Sequence, residues 1–155
     1  PGAAGLNARI EKAVQRFVDG YSCAQALLSV YGPELGLEET MALKIASPLG
    51  GGVSRTDGPC GAATGAILVL GCALGHRGPD DEAGKERIRD YTQEFLLRYE
   101  ERKGSTMCTD ILGHNLSEPG VAEMVKEKEL SKEPCPEAVR TAAELLEEML
   151  EGELR

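Results

Sequence analysis

One stretch constrains the fold of this chain more than any other. From Pro59 to Gly75 it reads PCGAATGAILVLGCALG, 17 residues without a charge. A membrane span needs roughly 20 strongly apolar residues, and four of these are glycine. The stretch therefore predicts a central helix buried on all sides by protein, because a helix apolar all round needs neighbours on every face. Gly61, Gly65, Cys72 and Gly75, with Leu68 between them, recur on one face at helical spacing. A face of small residues lets a neighbouring backbone come close.

The remaining segments read as helices too. Ile10, Ala13, Val14, Phe17 and Val18 form an apolar stripe over residues 7–19, which Gly20 ends. Ser22 predicts an N-cap for a helix from Cys23 to about Tyr31, stopped by Gly32-Pro33. A third helix is predicted from Glu38 to Ala46, followed by Pro48 and the loop Gly50-Gly51-Gly52, where backbone can approach a partner closely. Asp80-Asp81 open a long amphipathic helix to about Lys103, closed by Gly104. A short helix capped by Ser105 carries Cys108, Ile111 and Leu112; another runs from Pro119 to about Leu130. The last starts around Pro136, with Val139, Ala142, Ala143, Leu146 and Leu150 inward. No β-branched alternation competes with these readings. The expected fold is all-α, a compact multi-helix bundle of about seven helices around the Gly/Ala-rich one. At 155 residues it makes one domain, 1–155, with residues 1–5 expected to be disordered or an expression remnant.

Charge narrows the partners. With a net charge of −9 and a pI near 4.8, nucleic acid is not expected as a partner, and neither is a membrane. Residues 118–155 hold 11 acids and 5 bases, which reads as a solvated helix face or, less simply, as a docking surface for a basic partner. The Gly-rich helix and the acidic terminal helices leave a homodimer open.

Five cysteines carry the chemistry. The count is odd and Pro1-Gly2-Ala3-Ala4-Gly5-Leu6 has neither a basic nor a long apolar run, so the expectation is a cytoplasmic chain rather than a secreted disulfide scaffold. No CxxC occurs, against a thioredoxin-type site or zinc ribbon, and no CxxCH, against attached haem. Cys23 follows the Ser22 cap, Cys60 follows Pro59, Cys108 follows Ser105, and Cys135 lies between Pro134 and Pro136. Each thus falls in the first turn of a predicted helix, where free N–H groups and the positive dipole end favour an anion such as thiolate. Cys72, inside the apolar helix, reads as core. The four helix-start thiols suit iron–sulfur ligands, zinc ligands or redox dithiols. Cys60 is the expected attacking thiolate, with Cys23 or Cys108 resolving, and Gly50, Gly51, Gly52 and Gly61 are expected to bind a cofactor through backbone N–H groups. His76 and His114 read as surface residues; Arg55 and Asp57, flanking the glycine loop, could tune the charge near Cys60. The GxxxxGK[ST] phosphate loop is absent.

These residues together carry a resemblance. Tyr21-Ser22-Cys23-Ala24-Gln25-Ala26, then Gly50-Gly51-Gly52, Cys60-Gly61-Ala62-Ala63-Thr64-Gly65, Cys108 and Cys135 resemble the C-GCAxxG-C-C family of four-cysteine proteins over nearly the whole chain. The resemblance implies a small helical cytoplasmic protein with a redox role, its marked cysteines being Cys23, Cys60, Cys108 and Cys135. The function expected is redox or electron transfer, through an iron–sulfur cluster or dithiols, with a redox partner protein; the alternative is a zinc or other soft-metal module. Whether it is an oxidoreductase or an electron carrier is left open. The fold also resembles the non-haem portion of a two-haem dimeric cytochrome, but no haem is inferred.

Overall fold

The N-terminal part of the central helix's small-residue face, at Gly61 and Gly65, is occupied by the helix that begins at Cys23. A computed structural model describes residues 3–154, with side chains from residue 8 onward. Among them run eight right-handed helices: α1 (Ala3–Val18), α2 (Cys23–Glu34), α3 (Glu39–Ala46), α4 (Gly61–Leu74), α5 (Glu82–Lys103), α6 (Cys108–Leu112), α7 (Val121–Glu127) and α8 (Pro134–Met149). A 3-10 turn (Ser47–Leu49) and a left-handed turn (Gly50–Arg55) join α3 to α4. There is no strand among the described residues, only one antiparallel bridge between Pro59 and Met107. The molecule is an all-α bundle, as the periodicity predicts.

A Cβ on Gly65 would lie 2.8 Å from the Ala24 Cα, so α2 and α4 cross backbone against backbone. α1 and α8 pack on each other, and α8 also closes over α2, α4 and α5. Tyr31, Leu27 and Leu28 of α2, Leu70 of α4, Phe95 and Tyr99 of α5, and Leu145 and Leu146 of α8 fill the core. Phe95 and Tyr99 stack with ring centroids 5.8 Å apart.

The helix enclosed on nearly every side is α2, buried almost continuously from Cys23 to Gly32. This corrects the expectation for α4, whose C-terminal half leaves Gly71 and Cys72 exposed. Among the described residues nothing covers that face, and glycine and cysteine present little apolar surface there. Cys72 is therefore an exposed thiol and not a core residue.

Other boundaries shift for local reasons. α1 begins at Ala3, within the segment 1–5 expected to be disordered, since Ala3 and Ala4 are strong helix formers; residues 1 and 2 lie outside the described residues. α2 runs through Pro33 to Glu34, because a proline in the last turn removes a single ladder bond, and the N–H groups of Leu35 and Leu37 close onto the Gly32 carbonyl, both at 2.9 Å. Ser105 does not cap α6: its hydroxyl accepts from the Met107 N–H at 3.0 Å, and the helix starts at Cys108. α8 begins at Pro134, where a missing N–H costs nothing.

The terminal acids are mostly engaged. Glu144 pairs with Arg102 at 2.6 Å, Glu148 with Arg98 at 3.6 Å and Glu153 with Arg87 at 3.5 Å. Glu147 is buried: Arg9 Nε and Nη2 donate to its two oxygens at 2.7 Å, and the Tyr31 hydroxyl donates at 2.8 Å. This triad ties α8 to α1 and α2.

The turn at 50–55 is unusual. φ is positive at Gly51, Gly52, Val53, Ser54 and Arg55, between 54 and 68°. L-residues in a left-handed helix cost about 1–2 kcal/mol each, and three of these carry side chains. The turn is held by bonds around Gly52, whose carbonyl accepts from the N–H groups of Thr56 at 3.2 Å and Gly58 at 2.9 Å. The Ser54 hydroxyl donates to the Pro48 carbonyl at 2.7 Å.

Candidate functional site

Each of the four expected cysteines stands at the N-terminal end of a helix. Cys23 opens α2 behind a complete capping box, in which the Gln25 N–H donates to Ser22 Oγ at 3.2 Å and the Ser22 N–H to Gln25 Oε1 at 3.1 Å. Cys60 is the N-cap residue of α4, Cys108 the first residue of α6 and Cys135 the second of α8. The bridge at Pro59 and Met107 sets two of them side by side, because the Cys60 N–H donates to the Thr106 carbonyl at 2.7 Å and the Cys108 N–H to the Gly58 carbonyl at 3.0 Å.

Glycine makes the room. A Cβ on Gly61 would lie 3.1 Å from the Cys23 Cβ, and one on Gly52 would lie 2.8 Å from the Cys108 Cβ, at a φ of +68° that already favours glycine. Gly50 is likewise filled by Ser22, whose Cβ lies 2.5 Å from the position of a Cβ there. Of the glycines expected to hold a cofactor, Gly50 and Gly52 thus serve close packing, whereas Gly51 and Gly61 line a cavity. The N–H groups bearing on a sulfur belong to Ala62 and Ala63, beside Cys60.

All four cysteines line that cavity, which has a volume of about 510 Å³. Their environments differ. The neighbouring Cys135 sulfur and burial hold the Cys23 thiol well above the ordinary thiol range. Its nearness to Cys23 lowers Cys135, the one cysteine of the five to move down. Burial raises Cys60, although the Tyr99 hydroxyl, donating at 3.3 Å, and the Ala62 and Ala63 N–H groups oppose it. Burial and the neighbouring Cys60, Cys135 and Asp57 charges push Cys108 up to about 12. Cys72 stands away from the cavity. Of the four, Cys135 is thus the cysteine whose thiolate the site favours, and Cys23 beside it holds its proton more tightly.

Sequence reasoning missed Tyr99, visible there only as one position of an apolar stripe on α5. No sequence signal announced that its hydroxyl would reach Cys60, 39 positions away. Arg55 lines the cavity, while the Asp57 carboxylate accepts from Thr109 Oγ1 at 2.5 Å and thus ties the loop to α6. His76 is exposed, close to the Gly78 carbonyl, and His114 is part-buried; neither lines the cavity.

Could the thiols hold a metal? Four cysteines on one cavity make the donor set of an all-thiolate iron–sulfur cluster. Among the described residues no three Cys, His, Asp or Glu side chains are placed to share one ion, so a tetrahedral zinc site would need the thiols to move. No helix among the described residues is long and apolar enough to cross a membrane.

The bundle and its cavity define an all-α protein organised around four helix-end thiols. The chain belongs to the family described as "putative redox-active protein (C_GCAxxG_C_C)", which matches residues 21–149 and so includes all four cysteines. Redox activity is the function that this description gives. No curated protein and no solved structure matches the chain.

Proposed function

We propose that this chain is a thiol–disulfide redox protein in which Cys135 is the attacking thiolate and Cys23 resolves. One observation carries the reading: Cys23 and Cys135 line one cavity from the starts of two helices, and beside Cys23 the Cys135 thiolate is the favoured one. The thiolate is the nucleophile in exchange, and its position at the start of a 16-residue helix adds the favourable dipole end. Cys135 attacks a disulfide of a partner and forms a mixed disulfide. Cys23 then gives up its proton and attacks the Cys135 sulfur, so that the partner leaves reduced by two electrons and the chain holds a Cys23–Cys135 disulfide. Cys60, the thiol expected from sequence to attack, is kept protonated by burial and forms with Cys108 a second pair beside the first.

A second reading is an iron–sulfur centre on the same four thiols, which would supply one-electron transfer. The shared cavity favours it. Anaerobic purification with iron, sulfide and zinc assays separates the readings. The proposal expects a metal-free protein that loses two thiols on mild oxidation, with peptide mapping that joins Cys23 to Cys135. Cys135→Ser should abolish this and Cys72→Ser should leave it intact. Stoichiometric iron and sulfide, or a different disulfide, would sink it.

A further inference from the structure

The thiols account for only part of the cavity lining. Phe17 of α1, Ile111 and Leu112 of α6, Leu116 of the following loop and Val125 of α7 make much of the rest apolar. Three exposed cations, Arg55, Lys126 and Lys132, also line it, against the single carboxylate of Glu129. Lys132 is bound to that carboxylate at 2.7 Å. Arg55 and Lys126 pair with no carboxylate among the described residues. Unneutralised cations gathered at one cavity are unexpected on a chain whose net charge is −9. Charge of one sign lining a cleft raises the local concentration of oppositely charged ligands. The volume of about 510 Å³ lies in the range of sites for small organic molecules. Arg55 reaches the lining from the left-handed turn, and backbone strain of that kind clusters at ligand sites.

We infer that this cavity binds a small amphipathic organic disulfide bearing a carboxylate, with Arg55 and Lys126 on the carboxylate and the apolar lining on its alkyl chain. The inference rests on the thiol–disulfide reading above and names its substrate class. In the step, the Cys135 thiolate attacks one ligand sulfur, the ligand S–S bond breaks, and the other sulfur leaves as thiolate. Cys23 then attacks Cys135 and releases the second ligand sulfur. The ligand gains two electrons, one proton from Cys23 and one from water, and the Cys23–Cys135 disulfide is the oxidised product.

The test follows oxidation of the reduced full chain by three dialkyl disulfides of different charge: dithiodibutyrate (anionic), hydroxyethyl disulfide (neutral) and cystamine (cationic). Each rate is divided by that disulfide's rate with 2-mercaptoethanol, a thiol without charge of its own, which removes intrinsic reactivity. The anionic disulfide is expected to be fastest, by about tenfold over the neutral one, and octanoate, which has the chain and carboxylate but no sulfur, is expected to slow it competitively. Arg55→Gln combined with Lys126→Gln should erase the preference, read as the ratio of the anionic to the neutral rate within the variant, while leaving helicity unchanged. Equal normalised rates, no inhibition by octanoate, or a preference that survives the double substitution would overturn the inference. If none of the three disulfides oxidises Cys23 and Cys135, the thiol–disulfide reading itself falls, a distinct outcome.

Discussion

At the scale of the residue, Cys23 holds its proton more tightly than Cys135 does. Cys23 is the more buried of the two, so the proton stays there and the charge goes to Cys135. Alkylation by iodoacetamide, mapped by mass spectrometry across pH, should reach half its maximal rate at Cys135 below the ordinary thiol range. Cys108 should become reactive only toward about 12. Replacing Cys23→Ala removes that neighbour; the Cys135 thiolate is then less favoured, and its midpoint should therefore rise. A midpoint that stays put would mean that the helix end alone lowers it. That these cysteines stand at helix starts was legible, because Ser22, Pro59 and Pro134 are local signals adjoining them. The environment of each was not, since the burial that raises Cys60 is imposed only by the folded chain.

At the scale of the element, the closest approach is that of α2 and α4 at Gly65 and Ala24. A Cβ at Gly65 would meet the Ala24 backbone at 2.8 Å, and backbone cannot swing aside. Gly65→Ala should therefore force the helices apart and destabilise the reduced protein by about 1–3 kcal/mol in urea titration, despite the better helix propensity of alanine. It should also slow the Cys23–Cys135 exchange, because α2 carries Cys23. A stabilised variant would show that the helices can slide. The small-residue face was visible in the spacing of Gly61 and Gly65. Which helix would use it was not, because nothing local to α2 marks Ala24 as the contact. The same gap explains Cys72: it shares the apolar character of its neighbours, and only the arrangement of the other helices leaves its side uncovered.

At the scale of the molecule, the surplus of acid is arranged rather than scattered. Net charge could be read from composition, but the pairing of Glu147 with Arg9 joins positions 138 apart and had no sequence signal. Removing one member of a buried ion pair leaves the other uncompensated, at a cost of about 3–5 kcal/mol. Glu147→Gln should lower stability by that order in chemical denaturation. Reversal of the loss in a variant that also replaces Arg9 with methionine would confirm the pair as its source. Exposed pairs such as Glu129 with Lys132 contribute little by comparison. The triad lies apart from the cavity, so Glu147→Gln should leave the thiol chemistry of the folded fraction unchanged.

The left-handed turn has a consequence for how this protein is attacked in a cell. Arg55 is exposed and precedes Thr56, which offers a basic residue of the kind that trypsin-like proteases select. Such proteases bind their substrates as extended strands of ordinary handedness. From Gly51 to Arg55 the backbone winds the other way and is pinned by the Gly52 carbonyl and the Ser54 hydroxyl. The peptide bond after Arg55 is thus shielded by the sense of its winding rather than by cover, and it becomes cleavable only when the turn that brings Arg55 to the thiols has unwound.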